Sequence, residues 1–406
     1  MNDRSKTPTS VASTASDQPE PVTSVASTAS AVAAGRDAAV AALASAGEAG
    51  TPVRFVGAAT KLGWGVPVAD SGVIEIHTDG LDRLLEHNEG DLTAIVEAGL
   101  PLAEAQRAFA EADQELLLDP PDSAGTATIG GVIAAGDSGP LRNRYGGPRD
   151  LVLGVQVGLS DGSVARAGGK VIKNVAGYDL SKLFTGSLGS LGLILELSLR
   201  LHPKPPATAT TEGVTTEPAT LAAAALELAK APLEARCLDL RFGGGDSALL
   251  ARFGGAAPRS GAQAAARLME RAGLQTSLVE SDDEVWERQR EGQRSSAGTA
   301  LRVSTLPSRF ASLVSTAQRL DARVVARTNL GLAWVVLEDR SPAEAAAAVG
   351  ELRRELSPAP CSVVDAPAEV RSLIDAWALP AAGPLALMQR VKDRFDPAGV
   401  CRPSLS

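Results

Sequence analysis

The stretch 168–206, GGKVIKNVAGYDLSKLFTGSLGSLGLILELSLRLHPKPP, decides the fold of this chain. The glycines of its GSLGSLG turn have the spacing of a dinucleotide fingerprint, but that fingerprint requires a strand before the glycines and a helix after them. Here the order is reversed. Residues 180–184 have helical apolar spacing, and every odd position in 191–201 is leucine, which predicts a strand with one buried face. The stretch therefore predicts a helix, a glycine turn and a long strand, and it argues against a Rossmann nicotinamide site.

Composition narrows the class of protein. The 406 residues suffice for about two or three domains. An excess of 48 acidic over 39 basic residues argues against a nucleic-acid or anionic-lipid surface. The cysteines, Cys237, Cys361 and Cys401, are too few and too far apart for a disulfide framework or a thiolate metal site, which favours a reducing, cytoplasmic setting. We expect no metal, no nucleic acid and no direct membrane insertion, so any membrane association would come through a partner.

The first 31 residues read as a disordered tail. TSVASTAS occurs at 9–16 and again at 23–30, and small polar residues of this kind bury too little surface to offset their ordering entropy. An alanine-rich helix is predicted from Val32, followed by a strand at 52–56.

The loop 57–65, GAATKLGWG, follows that strand directly. Small residues after a strand let main-chain N–H groups converge on an anion. An ordinary turn is the competing interpretation.

Further elements follow from periodicity. Strands are predicted at 73–77 and 93–98, and a hairpin at 151–167 with Asp161-Gly162 at its tip. Two helices are also predicted from their apolar spacing; they carry Leu81, Leu84 and Leu85 in the first case and Leu102, Gln106 and Phe109 in the second.

Glycine is concentrated between residues 125 and 147, where seven of 23 residues are glycine against 40 of 406 in the whole chain. Such enrichment indicates close approach of the backbone, either to other backbone or to a ligand. The segment 128–131, TIGG, offers amides to a phosphate, and Arg142, Arg144 and Arg149 add positive charge nearby. A purely structural glycine-rich loop stays open as an alternative.

After residue 206 the pattern changes to runs of short strands with helices between them. Strands are predicted at 237–242, 248–253, 276–279, 303–306, 322–327, 332–337 and 362–364, and helices at 263–272, 310–320 and 343–356. This arrangement predicts an antiparallel sheet with helices on one face. An amphipathic helix at 385–395 closes the chain.

Four segments resemble a known family, the vanillyl-alcohol oxidase type of flavoprotein with its PCMH-type FAD domain, and most of all the FAD-binding E-subunits of glycolate oxidases. They are ATIGGVIAAGDSGP, RDLVLGVQVGLSDG, GGKVIKNVAGYDLSKLFTGSLGSLG and LMQRVKDRFDPAGV. The resemblance implies an α+β fold: a tail (1–31), a two-lobed FAD domain (32–206), a cap or substrate domain with an antiparallel sheet and helices (207–382), and a C-terminal helix returning to the FAD domain (383–406).

The resemblance also implies which residues contact FAD. Those for the pyrophosphate are Gly57, Ala58, Ala59, Thr60, Lys61, Thr128, Ile129, Gly130 and Gly131. Those for the ribityl and isoalloxazine side are Ser138, Arg144, Asp150, Lys173, Asn174, Tyr178, Gly186, Gly189 and Gly192. Tyr178 and Asp150 read equally well as satisfied polar groups. Some relatives attach FAD through a histidine near position 60, where this chain has threonine, so the resemblance implies non-covalent FAD.

Two departures from the family bear on function. Relatives that act alone use a histidine of the second domain as base, but His77, His87 and His202 all precede that domain, and His202 reads as a solvent-facing residue. Where relatives end in Asn-Pro-Gly-Arg, this chain ends CRPSLS from position 401, which leaves a C-terminal contact with the flavin open.

The resulting hypothesis is an FAD-dependent oxidoreductase acting on the CH–OH group of a 2-hydroxy acid such as glycolate. It would be one subunit of a glycolate oxidase-like complex, with a second flavoprotein subunit supplying the base and an iron–sulfur subunit taking the electrons. One alternative is a self-sufficient FAD-dependent dehydrogenase for an alcohol or hydroxy acid, and another is a non-catalytic scaffold subunit. Arg236, Arg241 and Arg252 are candidates for binding a substrate carboxylate, although surface arginines are commoner than ligand-binding ones.

Overall fold

The computed structural model of this chain describes residues 30–31, 35–65, 72–122, 125–170, 180–280, 282–378 and 382–403. Up to residue 203 the elements are β1 (Ser30–Ala31), α1 (Arg36–Ala49), β2 (Val53–Val56), β3 (Ile74–His77), β4 (Leu84–Asn88), β5 (Thr93–Glu97), α2 (Leu102–Ala110), β6 (Gln114–Glu115), α3 (Ile129–Ala135), α4 (Arg142–Tyr145), α5 (Pro148–Leu151), β7 (Val152–Gly158), β8 (Val164–Gly168), α6 (Ser181–Phe184), β9 (Leu193–Arg200) and β10 (His202–Pro203). From residue 208 they are β11 (Thr208–Val214), α7 (Pro218–Lys230), β12 (Cys237–Phe242), β13 (Ala248–Gly254), α8 (Pro258–Arg271), β14 (Gln275–Val279), α9 (Asp283–Glu291), β15 (Thr299–Ser304), α10 (Phe310–Arg319), β16 (Arg323–Arg327), β17 (Leu332–Leu337), α11 (Pro342–Leu356), β18 (Cys361–Asp365), α12 (Ala368–Arg371) and α13 (Ala382–Phe395).

The leucine-rich strand β9 joins two sheets of the first part of the chain. It is the middle strand of a five-stranded antiparallel sheet of order β4-β5-β9-β7-β8. Leu193 and Leu195 pack with α1 and the three-stranded parallel sheet β1-β3-β2, whereas Leu197, Leu199 and Leu201 pack with α2 and α3. Alternating leucine thus builds the core between two α+β lobes, and mixed helices and sheets confirm the predicted fold class.

Leu197 tests how much this strand contributes to stability. Its side chain is fully buried between Val96 of β5 and Val155 of β7. Leu197→Ala should lower the free energy of unfolding by about 2–5 kcal/mol, because it removes buried methyl groups and leaves a cavity. Denaturant unfolding measures this change. Ser198→Ala, on the half-exposed face of the same strand, is the control. A loss below about 1 kcal/mol for Leu197→Ala would contradict its place in the core.

The helix predicted around Leu81, Leu84 and Leu85 is wrong. Residues of this segment form strand β4, which pairs antiparallel with β5 through a tight turn between Asn88 and Thr93. Leucines at i, i+3 and i+4 satisfy helical periodicity, but pairing with the edge of β5 decides the structure. The end of the predicted tail also differs, because Ser30 and Ala31 pair with β3; residues 1–29 lie outside the described ranges.

The second part of the chain forms one eight-stranded antiparallel sheet of order β14-β11-β13-β12-β16-β17-β15-β18. Helices α7, α8, α10 and α11 cover one face, as predicted, and share a single apolar core with it. The ninth helix, α9, lies on the opposite face, where Trp286 packs against Leu250 and donates its indole N–H to Thr210 Oγ1 at 2.9 Å. The rest of that opposite face, called the inner face below, is turned toward the first part of the chain.

The C-terminal residues return to the first part of the chain. The rings of Phe184 and Phe395 pack edge to face with centroids 5.5 Å apart. Lys392 Nζ is buried and donates to the carbonyl oxygens of Ser190 at 2.8 Å and Cys401 at 3.0 Å. These bonds attach α13 to the glycine turn that precedes β9.

Candidate functional site

The loop after β2 presents unused main-chain donors. Ala59 has a left-handed backbone with φ of 59°, the conformation found where successive N–H groups form a concave turn. Within the described ranges, the N–H groups of residues 58–61 make no hydrogen bond. Successive amides in such a concave arrangement, called a nest, bind anionic oxygens. The nest therefore fits a phosphate or diphosphate.

The nest lies at one side of a cleft made of two adjoining cavities. The first has about 690 Å³ of empty volume and is lined by the loop 57–62, Trp64, α3, Leu188 and the C-terminal Arg402 and Pro403. The second has about 420 Å³ and continues from it between β2, α3 and the glycine turn. The two cavities share Gly57, Thr128 and Gly131 in their linings, so together they form one elongated cleft, the shape that an extended cofactor requires.

Helix α3 borders both cavities, but its first amides are already used. Ile129 N–H donates to Leu100 O at 3.0 Å and Gly130 N–H to Ala98 O at 2.7 Å. Thr128 caps the helix by accepting from Gly131 N–H at 3.2 Å. The Ile129 side chain is fully buried in the core. Gly131 contributes bare backbone to the wall of the cleft, whereas the amides of the two residues before it serve to hold the helix in place.

The glycine turn forms the facing wall. Gly186 N–H donates to Ile133 O at 3.0 Å, and Leu188 N–H donates to Ala134 O at 2.8 Å, so the turn is hydrogen-bonded to the end of α3. Gly189 and Gly192, both with positive φ, line the second cavity. The structure thus brings the two glycine-rich segments of the sequence to one cleft.

Arg144, Asp150 and Ser138 are not among the residues that line the two cavities. Arg144 points away from the cleft to Glu234 at 3.3 Å, and Asp150 accepts from Gly147 N–H at 2.8 Å at the start of α5. Ser138 is buried and accepts from Arg142 Nη1 at 3.2 Å. Lys173, Asn174 and Tyr178 lie outside the described residues. Their contacts with FAD stay predictions.

The residues of the inner face of the eight-stranded sheet were not predicted from the sequence. Arg327 and Asp239 form a fully buried pair at 3.2 Å, and Arg294 binds Asp365 with Nε at 2.6 Å. Arg294 also donates to Thr60 O at 3.3 Å and lies over the Trp64 ring, which ties the sheet to the nest. The one sign of this face in the sequence is that otherwise apolar strands carry a charged residue on their second side.

Arg302, on β15, is a cation of the inner face with no partner among the described residues. Burial lowers the pKa of its guanidinium, with Asp137 opposing, and within the described ranges it makes no hydrogen bond or ion pair. The neighbouring Arg142, whose pKa is lowered by burial and then by Arg302, also lacks a carboxylate partner in the described part of the chain. Two guanidinium groups of this kind favour a bound anion.

The three arginines suggested by the sequence are already engaged. Arg236 pairs with Glu115 at 2.7 Å, Arg241 with Glu212 at 2.8 Å and Arg252 with Asp282 at 3.1 Å. They stabilise contacts within and between the two parts of the chain.

A buried carboxylate lies beside the nest. Asp137 follows α3, and its Oδ2 is 3.5 Å from Lys61 Nζ; both side chains are at least nine-tenths buried. Asp137 Oδ1 accepts from Ser138 N–H at 2.9 Å, whereas Oδ2 has no hydrogen-bond donor in the described residues. Burial raises the pKa of Asp137, and Lys61 and Arg294 oppose that rise.

The histidines lie outside the cleft. His77 is 3.3 Å from Glu75, and His87 is 3.0 Å from Gln114 Oε1. His202 is half-buried rather than solvent-facing, with Tyr145 packed on its ring at 5.1 Å. Burial, followed by Arg200 and Arg236, lowers the pKa of His202 to about 4. In the described residues no group of three His, Cys, Asp or Glu side chains is placed to hold a metal, and no described helix is long and apolar enough to cross a bilayer.

Asp119 makes the stability of the fold depend on pH. It accepts from Leu141 N–H at 3.1 Å, and burial raises the pKa of its carboxyl to about 7. As pH rises from about 4, the Asp119 carboxyl ionises in the unfolded chain before it ionises in the folded protein. The free energy of unfolding should therefore fall between about pH 4 and pH 7, by up to about 4 kcal/mol.

Asp119→Asn keeps an acceptor for Leu141 but cannot ionise. Its free energy of unfolding, measured by denaturant titration at several pH values, should lack that part of the decline. Equal pH slopes for the variant and the unmodified protein would contradict the burial of this carboxyl.

Comparison with known proteins concerns the part of the chain that carries the nest and α3. Residues 28–168 match a family described as FAD binding domain. This match supports FAD as the cofactor. The nest fits the diphosphate of FAD, and the buried Trp64 Nε1, which lacks a partner in the described residues, lines the same cavity.

Curated relatives are similar over the same region. Glycolate oxidase subunit GlcE of Escherichia coli is 36% identical over 156 residues, which are 38% of this chain and 43% of that protein. Glycolate oxidase subunit GlcD of Bacillus subtilis is 38% identical over 156 residues, 38% of this chain and 32% of that protein. D-2-hydroxyglutarate dehydrogenase of Stutzerimonas stutzeri is 38% identical over 140 residues, 34% of this chain and 30% of that protein. The matches span less than half of each relative.

Solved structures share the whole architecture. An alkyldihydroxyacetonephosphate synthase superposes with a TM-score of 0.66 at 14% identity, covering 93% of this chain and 77% of that one. A chitooligosaccharide oxidase superposes with a TM-score of 0.65 at 14% identity, covering 91% and 89%. At this identity the likeness establishes the fold, including the second part of the chain.

Proposed function

We propose that this chain is an FAD-dependent oxidoreductase that converts the CH–OH group of a small 2-hydroxy acid into a carbonyl, as the FAD-binding subunit of a glycolate oxidase-like complex. The observation that carries the proposal is Arg302, a guanidinium without a partner in the described residues, on the sheet face opposite the FAD cleft. The relatives named above support it, since two are glycolate oxidase subunits and a third is a D-2-hydroxyglutarate dehydrogenase.

Different residues of the chain have different roles in the proposed reaction. The nest at 58–61 holds the diphosphate without covalent attachment, because Thr60 offers no imidazole. When bound, oxidised FAD accepts the hydride that leaves the α-carbon of the substrate. Arg302 and Arg142 bind the substrate carboxylate and fix the α-carbon in one orientation. The inner face, closed by the Arg327–Asp239 and Arg294–Asp365 pairs, keeps water from the reacting atoms.

The proposed partners receive the electrons. Cys237, Cys361 and Cys401 are buried at three separate places, and burial raises the pKa of each thiol, to about 11 for Cys361 and about 12 for Cys401. Three cysteines at separate places do not form the set of thiolates that an iron–sulfur cluster requires. The proposed partners are accordingly an iron–sulfur subunit and a second flavoprotein subunit.

The direct test is anaerobic reduction of the purified, FAD-loaded chain. Glycolate, D-lactate and D-2-hydroxyglutarate should be added separately while the flavin absorbance is followed. Bleaching by at least one of them supports the proposal. An unchanged flavin with all three, although dithionite bleaches it, would overturn it.

A second candidate is a self-sufficient dehydrogenase. It is favoured by the presence in one chain of both Arg302, which has no partner among the residues that the structure describes, and a buried carboxylate, Asp137, near the FAD cleft. Steady-state turnover with an artificial electron acceptor distinguishes the two. Turnover by the isolated chain that equals the rate of a reconstituted complex favours self-sufficiency, and a much slower rate favours the complex.

A further inference from the structure

Removal of hydride from an alcohol carbon requires that the hydroxyl proton also leaves. A side chain that accepts this proton must lie within hydrogen-bond reach of the cleft, either directly or through one water. The three histidines of the chain are held by Glu75, by Gln114 and by packing against Tyr145, all outside the cleft. The acceptor therefore has to be sought among the carboxylates near the inner face.

Most of those carboxylates are already committed. Asp365 receives two bonds from Arg294, at 2.6 and 2.9 Å. Asp239 lies against Arg327, and both are fully buried. Asp119 accepts from Leu141 N–H. Asp365 and Asp239 are needed where they are, since removing one partner of a buried pair leaves an uncompensated charge.

Asp137 differs from these three in its position beside Lys61, which lines the FAD cavity. One oxygen is fixed by Ser138 N–H, whereas Oδ2, like both oxygens of Asp239, has no hydrogen-bond donor in the described residues. Its distance of 3.5 Å from Lys61 Nζ is longer than the roughly 2.7–2.9 Å of a charge-assisted hydrogen bond. Lys61 itself lines the FAD cavity. A buried oxygen with spare accepting capacity therefore lies just behind the cleft wall.

We propose that Asp137 accepts the hydroxyl proton of the substrate and that Lys61 is the positioning residue that keeps this carboxylate ionised and oriented. The role rests on the proposed function. It places the base within this chain, in contrast to the expectation from the sequence that a partner subunit supplies it.

The step balances within the chain and its cofactor. The O–H bond of the substrate breaks and its proton moves to Asp137 Oδ2, while the C–H bond breaks and its electron pair leaves with the hydrogen to oxidised FAD. The C–O single bond becomes the carbonyl of a 2-oxo acid. Asp137 then returns its proton to solvent after product release.

The charges around Asp137 suit a base. Lys61 faces it from the loop after β2, Arg294 from the end of α9, Arg302 from β15 and Arg142 from α4. Burial alone would keep the carboxyl protonated, and these cations oppose that effect. With burial and the cations opposing each other, the pKa of Asp137 stays above its ordinary value. A raised pKa lies closer to the pH at which the enzyme works, as a general base requires.

The test compares Asp137→Asn with Asp339→Asn, an exposed control at a left-handed turn. Stopped-flow measurement of flavin reduction by the best 2-hydroxy acid should show a roughly 10²–10⁴-fold loss for Asp137→Asn. FAD affinity should stay unchanged in both variants. Reduction by Asp137→Asn at the unmodified rate, or loss of FAD binding, would overturn the role. If even the unmodified protein is not reduced, the proposed function fails and this role fails with it.

Two further readouts separate proton transfer from a structural role. Lys61→Met should shift the pH profile of flavin reduction to higher pH, because the pKa of Asp137 rises without its cation. In the flavin-free protein, the free energy of unfolding should decline less with rising pH in Asp137→Asn than in the unmodified protein, since a carboxyl with a raised pKa destabilises the fold as it ionises. An unmoved pH profile in Lys61→Met, or identical pH slopes of stability in Asp137→Asn, would count against the proposal.

Discussion

Gly131→Leu should abolish FAD binding without unfolding the protein. Gly131 lines both cavities of the cleft, and a Cβ there would meet only the hydroxyl oxygen of Thr128, at 3.0 Å. A leucine side chain would extend from that Cβ into the space for the cofactor, while a helix tolerates leucine well. The dissociation constant for FAD should rise at least 100-fold, about 2.7 kcal/mol, in a fluorescence titration of the flavin-free protein.

The matched control is Gly350→Leu. Gly350 is exposed on α11, and an added Cβ there meets nothing within 4 Å. This variant should bind FAD like the unmodified protein, with similar unfolding midpoints for both variants. Undiminished FAD affinity in Gly131→Leu would show that the cofactor does not occupy this cleft.

Arg302→Gln should remove most of the affinity for substrate while leaving FAD in place. A charge-assisted hydrogen bond contributes about 1.5–3 kcal/mol, so loss of two to a carboxylate lowers kcat/KM by roughly 100-fold or more. Most of this change should be in KM, because the carboxylate is bound in the ground state as well. Flavin reduction at increasing concentrations of the 2-hydroxy acid measures it.

Arg267→Gln is the control for this charge change. Arg267 is exposed on α8, on the helix-covered side of the sheet away from the cleft. It should leave kcat/KM unaltered. An equal KM in Arg302→Gln and the unmodified protein would exclude Arg302 from substrate binding.

Local periodicity predicted much of the fold. Leucine at alternate positions identified β9, and Asp161-Gly162 identified the β7–β8 hairpin, because both signals depend on neighbours in sequence. The same reasoning failed at Leu84, where pairing with β5 overrides helical spacing. The partner strand of this hairpin lies outside the few residues over which helical spacing is read, so the pairing is not visible there.

Only part of the candidate site could be predicted from the sequence. The loop 57–61 and Gly131 were identified, since small residues mark close approach of backbone. Arg302 was not, because its importance depends on the absence of a partner, which only the packed sheet reveals. Ile129 and Gly130 show the opposite case. Both were predicted to contact the pyrophosphate, but their amides donate to the carbonyl oxygens of Leu100 and Ala98.

The central claim is that the cleft holds one dissociable FAD. The most direct measurement is the flavin content of the purified chain, followed by denaturation and ultrafiltration, with the flavin identified by mass. We predict one FAD per chain, recovered entirely in the filtrate. A colourless protein that takes up no FAD on titration, as a non-catalytic scaffold would be, or flavin that stays attached to the denatured chain, would contradict the account.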